Sequence, residues 1–160
     1  MKITSKGRYA VLAMVDIAKF GENTPCNLSH VSVRQNISLS YLEQIFNDLK
    51  KANLVKSQKG PGGGYKLNKE SNEIRILDIF NAIDEQIKTT GCGNDPKSSC
   101  SGTGKKCLTH NFWENLEGVI GNYLNSVYLS DLTKGYSICL LYTSDAADDL
   151  LCVDLGGRRI

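Results

Sequence analysis

Residues 28–55 read LSHVSVRQNISLSYLEQIFNDLKKANLV, and the recurrence of their apolar side chains decides the fold. Asn27, just after Pro25, suits an N-cap and opens a short helix over roughly residues 28–35. Beyond Asn36 and Ile37, Ser40 and Glu43 form the S-x-x-E pattern of a capping box, which places a second helix start there. Leu42, Ile45, Phe46 and Leu49 fall at i, i+3, i+4 and i+7, so they share one face. Tyr41, Gln44, Asn47 and Lys51 lie away from that stripe. Two short helices in succession, the second with a polar outer face, match a helix-turn-helix.

Upstream, Ala10 to Val15 with Ile17 and Ala18 are apolar almost all round, the pattern of a buried helix. Arg8 and Tyr9 precede it and Gly21 ends it. Downstream, two short strands (54–57 and 65–67) flank the glycine-rich stretch 58–64, and Lys56 and Lys59 sit on this hairpin wing. The rival reading, a phosphate-cradling nucleotide loop, lacks the Gly-Lys-Ser/Thr ending and opens no helix. Ile76, Leu77, Ile79, Phe80 and Ile83 give another apolar helix. From Leu108 to about Val127, Phe112, Leu116, Val119, Ile120, Tyr123 and Leu124 recur at helical spacing. Such a stripe either packs on its own domain or pairs with a second copy.

The expected fold is therefore mainly α with a small β-hairpin. A winged helix-turn-helix DNA-binding domain spans residues 1–88 and a cysteine-bearing loop spans 89–110. A dimerisation helix region spans 108–132. The stretch ICLLYTSDAADDLLCVDLGGRRI does not continue the pattern. Residues 138–160 read as a non-native tail, the translation of a sequencing adapter, and are set aside.

At 160 residues, 41% hydrophobic and 22% charged, the chain is neither disordered nor a coiled-coil rod. No apolar run approaches the roughly 18–20 residues of a membrane span. Asp16 and Lys19 interrupt the N-terminal apolar stretch and no cleavage site follows, so a secretory signal is not expected. The expectation is a cytoplasmic protein with no membrane partner and reduced thiols. Residues 1–69 carry 11 Lys/Arg against 4 Asp/Glu, whereas residues 70–160 carry 8 against 13. That asymmetry suits either a front half that meets a polyanion or a solvated basic face.

Six cysteines in a reducing compartment need another role than disulfides. Cys92, Cys100, Cys107 and His110 give C-x7-C-x6-C-x2-H, three soft thiolates and one imidazole able to wrap an inorganic centre. Cys107 and His110, three apart at the mouth of the long helix, would project from one face. Lys105 and Lys106 lower the cost of thiolates there. Structural zinc sites usually show tighter C-x2–4-C knuckles. The wide gaps favour a larger object such as an iron–sulfur cluster, with structural zinc and bare redox thiols as the alternatives. Cys26 reads as a small buried hydrophobe and His30 as a surface or packing residue. No Ser/His/Asp set or paired carboxylates appear, and the chain is not expected to be an enzyme.

MKITSKGRYAVLAMVDIA (1–18), ISLSYLEQIF (37–46), GPGGGY (60–65) and CLTH (107–110) resemble the IscR family. These are the iron–sulfur cluster regulators among bacterial winged-helix repressors. The resemblance runs from Met1 to about Leu132. It implies a homodimer whose long helices cross and pair, and a 2Fe–2S cluster held by Cys92, Cys100, Cys107 and His110. It further implies that iron–sulfur assembly machinery is the cluster donor. The loaded protein would repress cluster-assembly genes, and the cluster-free protein would bind a second class of DNA site. Both cysteine gaps are slightly longer than is usual in the family, and Lys59 stands where arginine is common. Ser38, Ser40, Tyr41 and Gln44 occupy the exposed helix start that touches bases and phosphates of double-stranded DNA. Lys56 and Lys59 would meet phosphate or the minor groove. Glu43, a carboxylate facing DNA, serves in the family to separate the two site classes; completing the capping box with Ser40 is its other role.

Overall fold

The computed structural model describes residues 3–21, 24–60, 62–85, 87–89 and 107–134. The elements are α1 (Ser5–Phe20), α2 (Leu28–Gln35), α3 (Leu39–Lys51), β1 (Val55–Gln58), β2 (Gly64–Leu67), α4 (Ile76–Ala82), α5 (His110–Ser126) and α6 (Leu129–Thr133). Helices joined by one two-stranded hairpin are the mainly α winged helix-turn-helix that the periodicity predicts. Among the described residues no helix is long and apolar enough to cross a membrane.

α1 starts earlier than its apolar run. Thr4 is the N-cap, and its Oγ1 accepts from the Gly7 N–H at 3.2 Å, so Arg8 and Tyr9 lie inside the helix. Nor is α1 buried all round: Leu12 is exposed while Asp16 is buried. Asn27 caps α2 as expected, with Oδ1 accepting from the Ser29 N–H at 3.0 Å. Left-handed Asn36 ends that helix at φ 53°.

The capping box at Ser40 and Glu43 does not form. Ser38 is the N-cap residue of α3, without a side-chain cap bond, and Ser40 falls within the first turn. The reason is the buried side chain of Ile37, which fixes where the chain enters the helix. The S-x-x-E pattern is then two residues out of phase with the cap.

Leu42, Ile45, Phe46 and Leu49 of α3 are all buried, as their spacing requires. They join Ala10, Ala13, Met14 and Ile17 of α1, Val31 of α2, and Ile76, Ile79 and Phe80 of α4 in one core. Asp16 sits beside that core with no solvent-exposed side-chain surface. Arg34 grips both its carboxylate oxygens, through Nε at 3.0 Å and through Nη2. Gln35 Nε2 donates to Oδ2 at 2.7 Å. A forked guanidinium matches a carboxylate in this way because its two N–H groups are parallel. Arg34 also packs over the Phe20 ring at 4.7 Å and donates to Cys26 Sγ at 3.2 Å. Cys26 is buried, as expected, and His30 is exposed.

The glycine-rich stretch is a wing and not a nucleotide loop, because the chain beyond it returns as β2. The strands pair antiparallel from Val55 opposite Leu67 to Gln58 opposite Gly64. Gly60 (φ 121°) and Gly62 (φ 79°) adopt conformations that side-chain-bearing residues avoid. Gly64 is required for space: a Cβ there would drive into the Cys26 carbonyl. Cys26 and Tyr65 exchange both backbone hydrogen bonds, at 2.9 and 2.8 Å, which ties the wing to the start of α2.

The C-terminal elements return to the same core. Ile76 N–H donates to Val127 O, and Leu129 N–H donates to Ile74 O, each at 2.9 Å. Val127 and Leu129 are buried there. α5 itself buries no residue, and Phe112 and Val119 remain 61% and 60% exposed.

Replacing Arg34 strands a buried carboxylate with Gln35 as its remaining donor. Arg34→Met is expected to cost about 3 kcal/mol in urea unfolding, as loss of one partner from a buried pair does. Asp16→Asn should cost less, because it retains an acceptor and Arg34 is 33% exposed to water. Equal losses would contradict this reading.

Candidate nucleic-acid interface and metal-ligand pair

α3 and the wing place most of the expected DNA-contacting side chains on open surface. Ser38, Ser40, Glu43 and Gln44 are exposed along the first half of α3. Lys56 and Lys59 are exposed on β1 and the wing tip. Tyr41 is half-buried, its ring edge-on to that of Tyr9 with centroids 6.0 Å apart. Glu43 makes no hydrogen bond or ion pair among the described residues, so its carboxylate faces solvent rather than a cap.

Contacts from several elements hold this face in place. Lys6 Nζ bonds Asp48 Oδ2 at 2.9 Å and the Ile83 carbonyl at 3.0 Å, which joins α1, α3 and the end of α4. Lys6 holds the Asp48 carboxyl below the usual carboxylate range. Lys50 Nζ donates to Ser57 Oγ at 2.9 Å, and the Phe46 and Tyr65 rings meet at 5.0 Å. Recognition surface and wing are therefore set relative to one another by direct contacts. Sequence reasoning misses the Lys6–Asp48 pair, whose partners are 42 residues apart with no local signal. It also passes over Leu39, which is 41% exposed between Ser38 and Ser40.

Of the four expected cluster ligands, Cys107 and His110 are placed, while Cys92, Cys100 and the neighbouring Lys105 and Lys106 lie outside the described residues. Cys107 precedes α5 instead of sharing a helical face with His110. Its carbonyl accepts the His110 N–H at 3.1 Å, so a turn brings the two residues together at the helix mouth. The Cys107 Sγ lies 3.6 Å from Thr109 Oγ1, and this contact lowers the thiol below its usual range. A favoured thiolate is a better metal ligand. His110 is half-buried, with Nε2 3.7 Å from Glu114 Oε2. Among the described residues no three His, Cys, Asp or Glu side chains gather as a metal cage. The pair at α5 has the soft-donor chemistry that an iron or zinc centre takes, and needs further ligands to complete it.

The sequence and the fold have known relatives. The chain is 45% identical over 156 residues to the HTH-type transcriptional regulator IscR of Vibrio atlanticus, covering 98% of this chain and 87% of that one. The solved structure of T. potens IscR superposes with a TM-score of 0.68 at 33% identity, covering 84% of this chain and 87% of that one. CymR, the global cysteine regulator of B. subtilis, superposes with a TM-score of 0.70 at 30% identity, covering 84% and 97%. The family model for Rrf2, described as an iron-dependent transcriptional regulator, matches residues 3–135. Exposed recognition helix, wing and helix-mouth thiol thus stand in a chain that belongs to the Rrf2 family of iron-dependent transcriptional regulators.

Proposed function

We propose that this protein is an iron–sulfur cluster-sensing transcriptional regulator that binds duplex DNA as a homodimer and represses cluster-assembly genes. The observation that carries the reading is the turn that joins Cys107 to His110 at the mouth of α5. These are the last two ligands of the C-x7-C-x6-C-x2-H set, on a fold whose recognition surface is open. The same architecture in CymR is named for cysteine regulation, so the signal is decided by the site and not by the fold.

On DNA, α3 enters the major groove. Ser38, Ser40, Tyr41 and Gln44 meet bases and phosphates, and Gln44 can read adenine with a bidentate pair worth ~1–3 kcal/mol of discrimination. Lys56 and Lys59 on the wing meet phosphate or minor groove. Glu43 acts as a filter: its charge repels phosphate unless cytosine N4 donates to it. The uncovered stripe through Phe112 and Val119 supports pairing of α5 with a second copy. Its burial would supply the hydrophobic contact that α5 lacks alone.

Cys92, Cys100, Cys107 and His110 would hold a 2Fe–2S cluster delivered by iron–sulfur assembly machinery in the cytoplasm. Such a centre supplies redox and iron sensitivity to the site. A neutral imidazole leaves the ligand set one negative charge short of four thiolates and makes one ligand protonatable. Anaerobic purification followed by an absorption spectrum and an iron and sulfide assay tests this: a red-brown protein is expected. A colourless protein with one zinc, or with bare thiols, overturns the cluster assignment.

Because Glu43 caps nothing, Glu43→Ala should change thermal stability by less than about 0.5 kcal/mol, as exposed surface substitutions do. It should let cluster-free protein bind the operator type that loaded protein prefers. Gel-shift titration of cluster-free protein on both site classes checks this, and an unchanged preference would remove Glu43 from the filter.

His110→Ala should lose the cluster or render it labile, by opening one iron position. His110→Cys restores a thiolate at the same spacing. It should keep a cluster at lower reduction potential, since thiolate stabilises ferric iron more than imidazole does. If His110 only packs, both variants will hold the cluster at unaltered potential in anaerobic electrochemistry.

A further inference from the structure

Among the described residues of α3, Leu39 is the one exposed apolar side chain, and the proposed DNA contacts do not use it. It is the first residue of α3 and is 41% exposed, while its flanking residues Ser38 and Ser40 are polar and exposed. One turn on, at i+4, stands exposed Glu43, so Leu39 and Glu43 lie in one row along the helix. The buried row of Leu42, Ile45, Phe46 and Leu49 begins at i+3, so Leu39 stands at the edge between that row and the exposed one. Its exposure, and not its position in the row, sets Leu39 apart from the core stripe and leaves it on the border of the polar face.

The floor of the major groove offers one apolar group, the C5-methyl of thymine. A leucine at the N-terminal end of a recognition helix, where helix-turn-helix proteins reach base edges, is chemically matched to it. The polar neighbours cannot make this distinction, because a serine hydroxyl bonds several bases equally well. We infer that Leu39 is a specificity-determining residue that reads a thymine methyl in each half-site. This rests on the reading of α3 as the DNA-contacting helix.

The test begins with selection of preferred duplexes from a randomised pool by the full-length protein, wild type and Leu39→Ala. Wild type should enrich a thymine at one position of each half-site, and Leu39→Ala should lose that preference alone. Replacing this thymine by deoxyuridine removes only the methyl and keeps the O4 acceptor. Wild-type affinity should then fall about three- to fivefold per half-site, the worth of one buried methyl-sized group. Leu39→Ala should bind the thymine and deoxyuridine duplexes equally. Leu39→Met, which preserves an apolar contact without disturbing the helix start, should retain sensitivity to the methyl.

If deoxyuridine at the enriched thymine leaves wild-type affinity unchanged, the inference is overturned while DNA binding by α3 stands. The same follows if Leu39→Ala remains as sensitive to the methyl as wild type. A wild type that enriches no sequence at all overturns the reading of α3 on which the inference rests.

Discussion

A carboxylate taken fully out of water must be met by partners that cost less to order than the charge costs to bury. Asp16 imposes this constraint. Its uncompensated burial would cost several kcal/mol, more than a single apolar contact returns. Arg34 and Gln35 can satisfy it only if α2 lies against α1 at one position and rotation, so a charge pair orients what hydrophobic packing alone leaves adjustable. The same guanidinium donates to Cys26, whose backbone pairs with Tyr65 of β2. One buried charge thus sets α1, α2 and the base of the wing together. α3 is added by its apolar stripe and by Lys6 on Asp48. Specificity for DNA needs this order, because base edges are read by side chains whose helix cannot roll.

The parts legible in the sequence are those governed by local periodicity or by local backbone demands. The row Leu42, Ile45, Phe46, Leu49 has one helical solution, and Gly60 and Gly62 mark a tip that needs positive φ. Local signals mislead where tertiary contacts decide the outcome. The S-x-x-E pattern at Ser40 is a valid cap sequence, but buried Ile37 starts the helix two residues earlier. Asp16 interrupts an apolar run and so looks solvent-facing, whereas its partner Arg34 is 18 residues distant and invisible to any window. Thr4 carried a readable cap signal, but the apolar pattern that marks α1 begins only at Ala10.

The same distinction applies to the candidate sites. The C-x7-C-x6-C-x2-H spacing points to a candidate ligand set without geometry. What the structure adds is the turn that presents Cys107 to the first turn of α5, and the Thr109 contact that favours its thiolate. The α3 surface was readable as polar residues off a hydrophobic stripe. Its exposed leucine was not, because an apolar residue one position before the stripe resembles part of it until exposure is measured.

Thr89 and Cys107, which flank residues 90–106, both meet the same helix. At one end, Thr89 donates to Glu117 of α5 through its N–H at 2.6 Å and its hydroxyl at 2.9 Å. At the other, Cys107 leads directly into α5. The far end of α5 returns to the core through Val127 and Leu129, backbone-bonded to Ile76 and Ile74. Glu85, four residues before Thr89, accepts from Thr4 at the start of α1, and the neighbouring Ile83 carbonyl accepts from Lys6, which grips α3. α5 is thus fastened to the helical body by hydrogen bonds at its middle, through Glu117, and just beyond its C-terminal end, through Val127 and Leu129. In a dimer built on α5, these fastenings would convert the helix crossing into a defined separation of two recognition helices. Half-site spacing on DNA would follow from that separation; helix-turn-helix dimers bind half-sites one helical turn of ~34–36 Å, or a multiple of it, apart. A ligand set at the α5 mouth would then lie where a change in bonding acts on the element that, in such a dimer, sets the spacing.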